Sequence, residues 1–144
     1  MSNPLLVYAG VGSIIAALLH VAVIFGGPDW YRWFGAGEKM AQLAASGSLQ
    51  PALITAAIAT LLTVWGILAF STAGLLPALP SQKPLLIVVT TIYCVRGAAG
   101  FLPVFFSIPA TQENSPTFWF WSSAICLALG VLHLLGLWRA YQAS

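Results

Sequence analysis

A chain of 144 residues that is 60% hydrophobic and 6% charged cannot clothe itself against water, where a soluble domain carries about 25% charged residues. Five Lys and Arg and three Asp and Glu, with no run of either sign, exclude a disordered tail and a nucleic-acid footprint. The net charge of +2 rests on too few groups to imply a partner, so a polytopic membrane protein remains.

Crossing about 30 Å of hydrocarbon takes about 20 predominantly apolar residues at 1.5 Å each. Four segments meet that test, and they are too uniformly apolar to alternate as strands. The first, residues 5–25, has no Asp, Glu, Lys or Arg and holds His20. Met1-Ser2-Asn3-Pro4 lacks the positive n-region of a secretory signal, so this helix is expected to be retained. Gly26-Gly27-Pro28-Asp29 stops it, because Pro has no amide donor and Gly accepts turn geometry.

The only long loop, residues 26–49, follows. It opens with Trp30, Tyr31, Trp33 and Phe34, and residues 37–45 read as a short amphipathic helix that Gly35 and Gly37 allow to tilt inward. The second span covers residues 51–75. A proline-rich turn with Lys83 leads to the third, residues 85–106, which contains Arg96. After a loop bounded by Pro109 and Pro116, the fourth span, residues 118–138, opens with Phe118, Trp119, Phe120 and Trp121 and ends at Arg139. The two aromatic clusters form an anchoring belt at one interface or, alternatively, an aromatic cage. No internal repeat supports an inverted-repeat transporter.

Four spans place both termini on one side with Lys83. Lys83 and Arg139 on that side balance Arg32 and Lys39 on the other, so the positive-inside count is tied. The free amino terminus, and the placement of Asp29, Glu38 and Glu113 opposite, favour cytoplasmic termini. Helices in lipid associate through small residues. The expected seams are Ala9, Ser13 and Ala17 in the first helix, Thr55, Ala59 and Thr63 in the second, and Ser122, Cys126 and Gly130 in the fourth.

Arg96 is the most informative residue. It falls roughly 18 Å into its span, where a lone Arg costs at least about 2.5–3.5 kcal/mol, so it needs a partner. No acid lies within a span, which leaves Asp29, Glu38, Glu113, a carbonyl or an external anion. The long loop is therefore expected to fold over the bundle mouth and bring Glu38 to Arg96. That pair is either a structural clasp or part of a site for an anionic headgroup or small anion. Tyr93 and Gly100 share the face of Arg96 at i−3 and i+4.

His20 and His133 differ in depth by roughly 14 Å, which disfavours a shared haem. Without a His-x-x-x-His, a Cys pair or an acid in the spans, no zinc site is expected either. Each His is expected to be a hydrogen-bonded interior residue, and His20 shares the half of the bundle that holds Arg96. Cys94 and Cys126, both near mid-depth, are expected as reduced apolar packers.

The paired loop cysteines of the disulfide-generating four-helix family are missing. So are the first-helix carboxylate of small multidrug exporters and the charged second helix of membrane glutathione transferases. Hydrolase, P-loop and dinucleotide motifs are also lacking. The run from Gly26 through Trp30, Arg32 and Trp33 to Glu38, with Ile92-Tyr93-Cys94-Val95-Arg96-Gly97, resembles small four-helix proteins of bacterial inner membranes. That resemblance implies architecture and location and brings no activity, cofactor or site with it.

The expectation is an all-α, single-domain, four-helix transmembrane bundle with a structured loop after the first helix. Its function is expected to be non-enzymatic: a polar pocket of Arg96, Glu38, His20, Tyr93 and Trp30 in the outer half, binding a lipid headgroup or small amphiphile. No catalytic residue, metal or cofactor is assigned; membrane lipids and a second copy of the chain are the expected partners. The alternative is a transporter or channel subunit acting as a homo-oligomer. A third reading makes Glu38 and His20 the acid/base pair of an intramembrane enzyme.

Overall fold

A computed structural model describes residues 2–109 and 114–143. The four apolar runs are helical because a backbone without water can satisfy its own N–H and C=O groups only within a helix or a closed barrel. Helix α1 is Pro4–Gly26, α2 Pro28–Trp33, α3 Glu38–Ala45, α4 Gln50–Thr72, α5 Gln82–Ala99, α6 Leu102–Phe105 and α7 Pro116–Gln142. Proline in the first turn starts α1, α4 and α7, where its missing N–H would have had no partner anyway. Ser115 caps α7 by accepting from Phe118 N at 3.1 Å.

The third span differs from the continuous helix expected over residues 85–106. Regular α-helix ends at Ala99, and a separate turn, α6, follows. Pro103 is the cause: its ring clashes with the carbonyl four residues back, which is that of Ala99, and it donates no hydrogen bond. Together the two pieces are long and apolar enough to cross a bilayer, as are α1, α4 and α7.

Two tight hairpins make the bundle. Helix α1 packs along α4 and α5 along α7, while α1/α7 and α4/α5 contacts close the ring. Glycine sets the closest approaches. A Cβ at Gly97 would stand 2.6 Å from Leu127 N and one at Gly130 3.0 Å from Cys94 N, so α5 and α7 meet nearly backbone to backbone. Of the expected seams, Ala9, Ser13, Ala17, Thr55, Ala59 and Gly130 are buried. Thr63 is a correction: it turns outward and bonds its own helix at Ala59 O, 2.8 Å, while Leu62, Gly66 and Ala69 continue the seam.

The core runs through Leu6, Leu62, Trp65, Leu86, Tyr93 and Leu129. Outward, Ile15, Leu18, Leu61, Val88, Ile125 and Leu134 are exposed. An apolar exterior on every long helix is the pattern of a multi-pass membrane protein.

The termini share one end with the α4–α5 turn, where Asn3 N donates to Ala73 O at 3.0 Å. The opposite, loop end bears α2, α3 and α6. There Tyr31 and Ala41 bury against Val23 in a second small core, and Gly35, with φ +75°, lies against the Phe118 ring. The long loop thus folds onto the bundle, as expected.

Candidate functional site

The loop fold does not deliver Glu38 to Arg96. Arg32 takes the carboxylate instead, with Nε at 2.8 Å and Nη2 at 3.1 Å, and its Nη1 holds Asp29 at 3.0 Å. The reason is local: the turn at Gly35 and Gly37 brings residues six apart face to face, a far shorter closure than any route to α5. Hydrogen bonding to Arg32 is the main cause that holds the Glu38 carboxyl below its ordinary range, with desolvation opposing it; the same bond raises Arg32. This clasp is solvent-exposed, so it orders the cap and stabilises little.

Arg96 finds its contacts on α7. Fourteen residues after Gln82, it sits about 21 Å along its span, level with the first turns of the antiparallel α7. Its Nη2 donates to Ser122 Oγ at 2.9 Å, and the guanidinium carbon lies 5.2 Å from the Trp119 ring centroid, in cation–π range. Nη1 is buried and has no hydrogen-bond partner among the described residues. Glu113 lies outside the described residues.

Beside Arg96 an open cleft of about 240 Å³ separates α5 and α6 from the start of α7. Its walls include Gly100, Leu102, Pro103, Ile108 and Trp119, so the guanidinium is the one charged group in an otherwise apolar lining. An adjoining cleft of about 180 Å³ shares Pro103, Ile108 and Trp119 and reaches Asn114 and Pro116. The break at Pro103 shapes both.

The other expected members go elsewhere. Tyr93 is buried in the core, with its phenol 2.9 Å from Ser13 Oγ and its ring between Trp65 and His133, at centroid distances of 5.0 and 5.1 Å. His20 Nδ1 is 2.7 Å from Ala16 O on its own helix. Trp30 packs on Phe34 and fills the space left by Gly26. No hydrogen bond, ion pair or ring contact among the described residues joins these three side chains or Glu38 to Arg96.

Sequence reasoning missed Trp119, Ser122 and Ser123. Ser122 stood in the α7 seam and Trp119 in the aromatic cluster. Placing Arg96 on an antiparallel α5/α7 hairpin would have brought both to its level.

The arrangement offers one cation, neighbouring hydroxyls and hydrocarbon walls. Chemically, such a set suits an anionic head on an apolar body, and among the described residues it holds no nucleophile paired with a base. Among the described residues, no three His, Cys, Asp or Glu side chains cluster as a metal site would require. No family model, curated protein or solved structure matches the chain.

Proposed function

We propose that the chain crosses a bacterial inner membrane four times, both termini in the cytoplasm, and binds an anion-headed amphiphile in the cleft beside Arg96. The carrying observation is the buried Nη1 of Arg96, left without a partner at the edge of an apolar cleft. A charged donor in that state costs upward of about 1–3 kcal/mol until something accepts from it. A lipid headgroup or the head of a small amphiphile would relieve this, and the exposed Leu102, Phe105 and Phe106 beside the cleft suit its hydrocarbon.

Several features support the placement. Trp33 and Trp121 are exposed at the loop end, where amphipathic rings settle at an interface. Arg32 and Lys39 at the loop end balance Lys83 and Arg139 at the termini end, so the basic residues alone leave the orientation level. The acids Asp29 and Glu38, both on Arg32 at the loop end, are what lean the proposal toward cytoplasmic termini.

Nothing similar supports transport, since Tyr93 is packed in the core between Trp65 and His133. The Glu38/His20 enzyme reading lacks support too, since each group is engaged within its own segment.

Native mass spectrometry of the purified protein tests the proposal. The wild type should retain an anionic lipid or amphiphile, and Arg96→Gln should lower its occupancy at least tenfold. Equal retention by both proteins, or retention of neutral lipids alone, would overturn it.

A further inference from the structure

Several threonine hydroxyls in the long helices bond their own backbone. Thr60, Thr63, Thr72, Thr90 and Thr91 each donate to the carbonyl four residues back, at 2.7–2.9 Å. This is the default for a helical hydroxyl without a better partner. Ser123 departs from it: the residue is 0% exposed and its Oγ has no partner among the described residues.

Its surroundings show where that hydroxyl is aimed. A Cβ built at Gly100 would lie 2.2 Å from Ser123 Oγ and 2.3 Å from Arg96 Nη1. The two unpartnered groups therefore converge on the bare face of Gly100, within about 4.5 Å of each other. They are close enough for ligand oxygens to sit at hydrogen-bond distance, about 2.7–3.0 Å, from both.

We infer that Ser123 is the second donor of the Arg96 site, that Gly100, by carrying no side chain, lets the two donors come together, and that the ligand head is an oxyanion with at least two free oxygens. The inference rests on the reading that the Arg96 cleft takes an anion-headed amphiphile, and it narrows the class to phosphate or carboxylate. Arg96 Nη1 can only donate and is positively charged, which excludes ammonium heads. A neutral hydroxyl head could accept but would leave the charge uncompensated. A phosphate or carboxylate accepts from both donors, and charge-assisted bonds of this type are about twice as strong as neutral ones. Ser122 keeps the guanidinium oriented through Nη2, and Trp119 covers it.

The experiment is a titration in detergent micelles, followed by tryptophan fluorescence and native mass spectrometry, with oleate, dioleoyl phosphatidate and dioleoylglycerol as probes. Wild type should bind at least one of the two anionic probes at least tenfold more tightly than dioleoylglycerol. Preference between oleate and phosphatidate then identifies the source of the oxyanion. Ser123→Ala should weaken the preferred anionic probe about tenfold, Gly100→Ala should weaken it further, and Arg96→Gln should abolish the preference over dioleoylglycerol. Ser123→Ala removes only a hydroxyl that has no partner, so its fold and melting temperature should match the wild type and keep the test decisive if Gly100→Ala fails to fold. Unchanged binding by Ser123→Ala with loss in Arg96→Gln overturns this inference and leaves the Arg96 reading standing. Unchanged binding by Arg96→Gln overturns both.

Discussion

The two ends of the bundle treat their polar groups in opposite ways. At the termini end, Ser71 Oγ donates to Pro77 O at 2.7 Å and also bonds Gln82, whose Oε1 accepts from Leu79 N at 2.8 Å. Asn3 Nδ2 reaches Gly136 O at 2.7 Å, and Lys83 Nζ reaches Ala140 O at 3.1 Å. These bonds tie the α4–α5 turn, the N-terminal segment and the starts and ends of the helices to one another. Among the described residues, the buried side-chain atoms without partners are Arg96 Nη1, Ser123 Oγ and Tyr31 Oη in the loop half and His133 Nε2 in the other. The termini end spends most of its polar side chains on closing the fold; the loop half holds three of the four open groups. Buried donors left open are expensive, and they are expected where something else completes them.

Substitutions can break or sharpen this contrast. The largest effect is expected at the α5/α7 contact that supports the cleft. Gly97→Val would press a side chain onto Leu127 N and Cα, at 2.6 and 2.8 Å from its Cβ. Both are backbone atoms that cannot rotate away, so a loss of about 3 kcal/mol is expected, read as a lower midpoint in mixed-micelle unfolding.

At the termini end, Ser71→Ala should cost about 1–2 kcal/mol in the same assay, because it strips a shared partner from Pro77 O and Gln82. Asn3→Ala should cost about 1 kcal/mol, through loss of the α1 cap and the bond to Gly136. Ser123→Ala, measured without ligand, should change stability by less than about 0.5 kcal/mol. A Ser123→Ala loss equal to that of Ser71→Ala would erase the distinction between the ends.

The smallest effect is expected from acid. Because the folded Glu38 carboxyl sits below its ordinary range, the Arg32 clasp contributes in full above the ordinary pKa of about 4.3. That contribution is lost as pH falls through the lower folded value. Hydrogen exchange in α2 and α3 should therefore quicken only in strong acid, with the spans unaffected, and Glu38→Gln should show the quicker exchange already at neutral pH.

Much of the architecture was legible in the residues. Length and hydropathy gave four helices, and prolines and glycines marked their ends, because a helix break needs only local chemistry. The exception was Pro103, which sits inside an apolar run and divides it. The importance of Arg96 was also legible, since a charge at that depth stands out from composition alone. Its partners were not. Glu38 was the expected partner from the long loop, but Arg32 had the shorter closure. Tyr93 and His20 shared a helix face or a depth with Arg96 and were still drawn to Ser13 and Ala16.

The sequence by itself determined four apolar helices, the side of the bundle on which each loop lies, and the presence of a cation that needs an anion or a cover. Those properties follow from periodicity, chain direction and the free-energy cost of burying charge, all of which act within one segment. The tertiary structure alone decided that Ser122 and Trp119 hold the guanidinium, and that Arg96 and Ser123 meet on the bare face of Gly100. Such choices depend on the register of α5 against α7, which glycine backbone contacts fix and which no single helix records.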